Sequence, residues 1–210
     1  MNKWLIGCLS LLAVCLVLLL TYMALMRMPN PRTKRIDLDD LMVTRADFPQ
    51  GWAASGGGPI TKREHQEGSQ ENQSASFRPE SLGWMDPLGA LHTVYRYRNP
   101  YQAMDAYFQE HRGLYQVRRD TSAWTVPPDW SYRSPIADQF EFACAHISNI
   151  VYSGTTCIAK ARYDEFISVF SAELGSPYLT HADLERVLRA IDERMARALG
   201  KPLPPSVTPP

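Results

Sequence analysis

Cysteine and histidine are the side chains of this sequence with the clearest capacity for chemistry. Cys144 and Cys157 are the only cysteines outside the apolar N-terminal stretch, and His146 lies two positions after Cys144. Thiolate and imidazole groups are zinc ligands, but a closed zinc site uses four of them. A metal site here would need a further ligand and a reduced cysteine pair, so we expect neither a metal nor another cofactor.

The cysteine pair instead predicts a disulfide. Residues 137–147 alternate, which places Phe140, Phe142 and Cys144 on one face, and residues 156–163 form a second run beside it. A bridge between two such strands would close a loop of about 14 residues and stabilise the fold by about 3 kcal/mol. Two unrelated buried thiols are the alternative, because free cysteine often behaves as a small core residue. A disulfide favours an oxidising compartment, so we expect the domain to face the periplasm or the exterior.

The sequence lacks the signatures of common enzyme classes. It contains no His-Glu-x-x-His, no Cys-x-x-Cys, no Gly-x-Ser-x-Gly and no dinucleotide-binding fingerprint. His92 and His111 would need the fold to bring them to a carboxylate such as Asp138, and a lone histidine is more often structural. We therefore expect no catalytic activity, with a hydrolase of dispersed residues as a distant alternative. Nucleic-acid binding is disfavoured because 22 Lys and Arg balance 22 Asp and Glu.

An aromatic and proline-rich connection over residues 114–135 is the main candidate for an interaction surface. It carries Trp124, Trp130 and Tyr132 together with the pair Pro127-Pro128. Exposed, these rings would suit contacts with a partner protein. Buried, they would cover the edge of a sheet. We favour the cover over a sheet edge, because tryptophan is usually largely buried, and keep the three aromatic residues as the candidate partner surface.

The elements that must position these residues follow from periodicity. Residues 90–98 alternate as a strand, and Asn99 marks the start of a helix. Three antiparallel strands then follow, over 137–147, 156–163 and 166–173. The last helix begins after Thr180 and ends at Gly200. This order predicts an α+β fold in which helices pack on one face of an antiparallel sheet. Residues 53–80 have the weakest pattern, and part of them is predicted to be a mobile loop.

The N-terminal stretch predicts a membrane anchor. Residues 4–26 carry no charge and would span roughly 34 Å as a helix, which matches a bilayer core. A cleaved signal peptide is the alternative, but the apolar run is long for one and no small-x-small cleavage pattern follows it. The predicted division of the chain is a short tail (1–3), a transmembrane anchor (4–26), a basic proline-containing linker (27–36), a single soluble domain (37–200) and a proline-rich tail (201–210).

The charges beside the anchor predict the opposite orientation to the cysteine pair. Lys3 lies on one side, whereas Arg27, Arg32, Lys34 and Arg35 lie on the other. The positive-inside rule alone would keep the domain in the cytoplasm. We give the predicted disulfide more weight, and so expect a single-pass protein of the cell membrane with an extracytoplasmic domain.

Residues 46–52, Ala-Asp-Phe-Pro-Gln-Gly-Trp, resemble the Asp-Leu-Pro-x-Gly-Trp opening of poorly characterised bacterial lipoproteins and membrane-anchored extracytoplasmic domains. Residues 157–170 are similar to the cysteine strand and hairpin of the same proteins. The resemblance implies an exported, non-catalytic domain. Phe48 stands where those proteins have leucine, and no lipidation cysteine follows the apolar run, so the mode of anchoring differs.

Two classes of function follow. The first is an interaction module that binds a partner protein, as an accessory subunit of a larger membrane complex. The second is a small-ligand sensing or carrying domain, which would need an apolar pocket between sheet and helices. In both classes the lipid bilayer contacts residues 4–26.

Overall fold

The computed structural model describes residues 3–28, 36–62, 69–82, 89–114, 122–148, 153–175 and 178–203. Its strands are β1 (Trp52–Lys62), β2 (Glu71–Pro79), β3 (Ala90–Arg96), β4 (Gln139–Ser148), β5 (Ser153–Tyr163) and β6 (Phe166–Leu174). They form one sheet in the order β1-β2-β3-β6-β5-β4, and every neighbouring pair is antiparallel. The α-helices are α1 (Lys3–Arg27), α2 (Pro100–Leu114) and α3 (His181–Leu199), and Asp39–Leu41 and Arg45–Asp47 are short 3-10 helices.

The structure confirms the predicted α+β class and the three-stranded meander β4-β5-β6. Alternation of large and small side chains along these strands carries enough information to define them. The turn between β5 and β6 contains Asp164, whose φ of 52° is left-handed. Asn99 begins α2 as predicted, since its side chain accepts a hydrogen bond of 3.0 Å from the backbone N–H of Gln102. Thr180 and Gly200 also bound α3 as predicted.

The prediction that the helices share one face of the sheet is wrong. α3 belongs to the main core, where it joins Phe166 and Phe170 of β6. α2 packs through Tyr107 on a second cluster that contains Ile167 of the same strand. Because successive side chains of a strand point to opposite faces, α2 and α3 lie on opposite sides of the sheet. The helical periodicity of each segment identifies its buried stripe but not the face of the sheet that it meets.

Residues 53–80, whose sequence pattern is the weakest in the chain, are largely strand where the structure describes them. β1 and β2 pair over seven positions with an irregularity between Ser55 and Ile60, and residues Glu71–Phe77 of β2 pair with β3. Residues 63–68 of the expected loop lie outside the described residues. β2 consists mainly of small and polar residues, including the buried Asn72 and Gln73, so the hydrophobic alternation that identifies a strand is weak there.

The opening at residues 46–52 is a structural corner. The carboxylate of Asp47 accepts a hydrogen bond of 2.6 Å from the backbone N–H of Thr44 and pairs with Arg194 of α3 at 2.8 Å. The ring of Phe48 stacks on Trp52 with centroids 5.1 Å apart, and Trp52 donates its indole N–H to the carbonyl of Tyr178. Gly51 supplies the positive φ of 85° that lets the chain turn into β1. These residues join the start of the domain to α3.

The N-terminal stretch forms α1, and its large apolar side chains from Leu11 to Met23 are exposed. Among the residues that the structure describes, no helix is long and apolar enough to cross a membrane. Most of the predicted linker and residues 204–210 of the predicted proline-rich tail lie outside the described residues.

Candidate functional site: an aromatic cleft at the edge of the sheet

An open cleft of about 550 Å³ lies beside β4, the last strand of the sheet. All three residues of the predicted partner surface line it, together with two phenylalanines of β4: Trp124, Trp130, Tyr132, Phe140 and Phe142. Val126 stands at its mouth and is 58% exposed. We call this site the aromatic cleft. It combines apolar walls with direct access from solvent.

A short extended segment covers half of the outer edge of β4. Thr125 and Cys144 exchange both backbone hydrogen bonds, at 2.9 and 2.8 Å. Further along, the N–H of Ser122 donates to the carbonyl of His146 at 2.8 Å, and the hydroxyl of Ser122 accepts from the N–H of His146 at 2.7 Å. The interpretation of this connection as a cover over a sheet edge therefore holds for residues 122–125.

No described segment of the chain pairs with the other half of that edge, which forms the floor of the aromatic cleft. Because the backbone groups of Cys144 point outward to Thr125, strand alternation directs those of Phe142 and Phe140 to the same side. Within the described part of the chain, the outward N–H and carbonyl groups of these two phenylalanines have no hydrogen-bond partner. The chain has already turned away, since Pro127 accepts a hydrogen bond from the N–H of Trp130 in a tight turn. An extended peptide in the cleft would thus meet two unpaired residues of a strand.

The wall of the aromatic cleft is a series of ring contacts. Trp130 stacks on Phe142 with centroids 3.9 Å apart and an interplanar angle of 20°. Tyr132 meets Trp130 edge-on at 6.2 Å and Phe140 edge-on at 5.8 Å. Offset stacks and edge-to-face contacts are the favourable geometries for aromatic pairs. The rings are therefore held in place before any partner binds.

A buried carboxylate of α3 holds Tyr132 in position. Asp192 of α3 is 2% exposed and accepts hydrogen bonds from the hydroxyls of Tyr132, Ser134 and Tyr163. Burial, and then the charge of Asp192, raise the pKa of both tyrosines well above the usual value, so they remain proton donors. The guanidinium of Arg189 lies 4.8 Å from the centroid of the Tyr132 ring. Sequence reasoning missed Asp192, and a single acidic residue on the apolar stripe of α3 was the available signal.

The predicted disulfide between Cys144 and Cys157 is present. It joins directly opposed residues of β4 and β5, at the position where Thr125 pairs with the outer edge of β4. His181 lies close enough to the two sulfurs to complete a set of three metal-ligating atoms. Sulfurs that are joined in a disulfide are not thiolates and do not bind zinc in this way. His146, which the sequence places near the pair, is exposed and contacts Ser153 at 3.2 Å.

His92, one of the two histidines considered as catalytic, does not contact Asp138. His92 is fully buried, with Nδ1 accepting from the N–H of Val43 at 3.2 Å and Nε2 lying 2.9 Å from the hydroxyl of Ser168. Asp138 instead pairs with Arg162 at 3.2 Å and Lys201 at 3.3 Å. The side chain of His111 lies outside the described residues. Both ring nitrogens of His92 thus have partners inside the core, which is the geometry of a structural histidine.

Comparison with known proteins identifies a fold and no family. No protein-family profile matches the chain. No curated protein matches it either. The fold is similar to that of the extracellular domain of PknH from Mycobacterium tuberculosis, seen in its crystal structure, with a TM-score of 0.54 and 8% sequence identity. The similarity covers 81% of this chain and 98% of that domain.

Proposed function

We propose that the chain is an extracytoplasmic interaction module, without catalytic activity, that is tethered to a membrane and binds a partner protein through the aromatic cleft. The observation that carries the proposal is the coincidence of pre-positioned rings with an unpaired stretch of β4. Aromatic residues are favoured at the centres of interfaces, and a sheet edge binds extended peptides through backbone hydrogen bonds. Such a module would serve as an accessory subunit of a larger membrane complex.

The open edge favours a peptide of a partner protein over a small ligand. An added strand would continue the line of residues 122–125 and pair with Phe142 and Phe140, while its alternate side chains enter the cleft between Trp124 and Trp130. A small-ligand sensing function is the second candidate, since about 550 Å³ is within the size range of ligand pockets. The cleft is open along the strand, which suits an extended occupant better.

The membrane tether is supported by residues 4–26, which contain no charged side chain, and by the helical backbone of α1. The extracytoplasmic location is supported by the disulfide, because disulfides persist in oxidising compartments. The resemblance of residues 46–52 to exported domains favours the same location. The basic residues after the anchor argue against it.

A charge at the mouth of the aromatic cleft tests the partner function. Val126→Asp changes an exposed side chain and leaves the core intact, whereas Leu91→Asp places the same charge at an exposed apolar residue of β3. We expect proteins that co-purify with the wild type in mild detergent to be lost with Val126→Asp and retained with Leu91→Asp. A photo-crosslinking residue at position 126 should capture the same proteins, and one at the exposed position 193 should not. Purification of the wild type always alone and monomeric would overturn the proposal.

Thiol labelling tests the compartment separately. Cys144 and Cys157 should resist alkylation in intact cells and in lysed cells until a reductant is added, because they form the disulfide. A protease added outside the inner membrane should digest the domain of the wild-type chain. Free thiols without reductant, or protection from the protease, would place the domain in the cytoplasm.

A further inference from the structure

One face of α2 is apolar and exposed although the helix lies on the sheet. Tyr101, Met104 and Phe108 recur at helical spacing and are 47%, 41% and 59% exposed. The face of the helix that packs on the sheet carries Ala103 and Tyr107, which are buried in the second core cluster. Exposed apolar residues that share one helix face mark an interaction surface more strongly than scattered ones do. We call these three residues the α2 stripe.

The end of α1 lies against the start of α2. The side-chain amide of Asn99 donates a hydrogen bond of 3.1 Å to the carbonyl of Met28, and Asn99 is the residue that caps α2. Met26, the last residue of the predicted anchor, precedes Met28 by two positions, or about 3 Å along a helix. Met28 is itself 62% exposed. The first turn of α2 is therefore within roughly 10 Å of the point where the apolar run ends.

We propose that the α2 stripe rests on the lipid surface from which α1 emerges, so that α2 is a second, interfacial membrane contact. This inference depends on the tether of the proposed function. Tyrosine, methionine and phenylalanine suit the boundary between headgroups and acyl chains, where an amphipathic helix buries its apolar face. Asp105, which follows Met104 in sequence, accepts a hydrogen bond of 2.8 Å from Gln109.

Contact of α2 with lipid would orient the whole domain. α2 and α3 pack on opposite faces of the sheet, so the sheet would lie over the membrane with α3 on the distant side. The aromatic cleft is built on the α3 side, because Tyr132 bonds to Asp192 and His181 lies beside Trp130. A partner would therefore reach the cleft from the aqueous compartment without displacing the domain from the membrane.

Site-specific fluorescence in nanodiscs tests this contact with the full chain. In a Cys8→Ser, Cys15→Ser background, Phe108→Cys and the control Glu193→Cys each carry an environment-sensitive fluorophore in phosphatidylcholine nanodiscs with one protein copy. We expect the fluorophore at position 108 to emit at shorter wavelength and to be quenched by spin-labelled lipid. The fluorophore at position 193, on the exposed face of α3, should show neither effect.

Hydrogen exchange is a second measurement, and it needs no label at position 108. The comparison is between the wild-type chain and the triple variant Tyr101→Ser, Met104→Ser, Phe108→Ser, each in nanodiscs. Backbone hydrogen exchange of α2 should be slower in the wild type than in the variant, whereas exchange of α3 should be the same in both. If position 108 is not quenched although the chain resists extraction from the membrane, this inference fails and the tether stands. If the chain is extracted by alkaline carbonate, the tether itself fails. Shielding of position 108 only at high protein concentration in detergent would assign the stripe to a second copy and overturn the lipid contact.

Discussion

The hydroxyl of Tyr163 donates a hydrogen bond of 2.6 Å to Oδ1 of Asp192, a carboxylate that is 2% exposed. Tyr132 and Ser134 bond to the same carboxylate, so one group of α3 connects β5 to the chain that forms the aromatic cleft. A buried carboxylate is stable only when hydrogen bonds replace its hydration. The shape of the cleft therefore depends on a residue that does not line it.

Asp192→Ala should lower the free energy of unfolding by about 2–4 kcal/mol, because it leaves buried hydroxyl donors without their acceptor. It should also alter the near-ultraviolet circular dichroism, since Tyr132 and Trp130 are in contact. Urea denaturation measures the first effect. Glu193→Ala, at the exposed neighbouring position, should change stability by less than about 0.5 kcal/mol. Equal effects of the two substitutions would refute the role given to Asp192.

Removal of the disulfide should destabilise the domain and loosen the cleft. Cys144→Ala with Cys157→Ala opens a loop of 13 positions in sequence and should lower the free energy of unfolding by about 3 kcal/mol. The same variant should weaken the pairing of Thr125 with β4, seen as faster hydrogen exchange of both backbone N–H groups. Cys15→Ala, at the exposed free cysteine, is the control and should leave both quantities unchanged. Wild-type stability that is indifferent to reductant would contradict this prediction.

The buried His92 should make stability fall in mild acid. Burial, and secondarily the charge of Arg194, lower the pKa of His92 from 6.5 to about 3. Between these two pKa values His92 is protonated in the unfolded chain and neutral in the folded chain. The stabilisation is therefore present above pH 6.5 and is lost as the pH falls toward 3. The contribution is at most about 1.4 kcal/mol per pH unit.

His92→Asn is the variant for this test, because the amide oxygen can still accept from Val43 without titrating in this range. Its stability, measured by urea denaturation at several pH values between 7 and 4, should fall less steeply with acidity than that of the wild type. Parallel slopes for the two proteins would show that His92 titrates alike in the folded and unfolded states.

Alternation and capping predicted the half of the fold that surrounds the cleft. Phe140, Phe142 and Cys144 share one face as expected, and Cys157 lies directly opposite Cys144. Those strands bury bulky side chains, so their period is visible in the sequence. β1 and β2 were missed because Asn72 and Gln73 are buried polar residues, whose burial depends on partners distant in sequence. Gln73, for example, bonds to Asp39.

The sequence predicted the aromatic residues of the candidate site but not Asp192, which holds Tyr132 in place. Trp124, Trp130 and Tyr132 stand out by residue type in a proline-rich connection. Their arrangement depends on where the segment after Thr125 turns away from the edge of β4. It also depends on Asp192, which is 60 positions from Tyr132. No local pattern encodes such a pairing, since it requires the packing of α3 against the sheet. The helical period of α2 marks its faces in the same way but does not say which of them is covered.

The corner formed by residues 46–52 should depend on Asp47 more than on its neighbours. Asp47 caps the 3-10 helix that Thr44 begins, and its ion pair with Arg194 at 2.8 Å is largely shielded from water. Asp47→Ala should therefore lower the free energy of unfolding by about 1–3 kcal/mol, through the lost cap and the uncompensated charge of Arg194. Arg45→Ala removes an exposed ion pair with Glu80 and should cost less than about 0.5 kcal/mol. In a double-mutant cycle with Arg194→Ala, the effects should be non-additive, because the two side chains are in direct contact. Strict additivity would mean that this ion pair does not couple the start of the domain to α3.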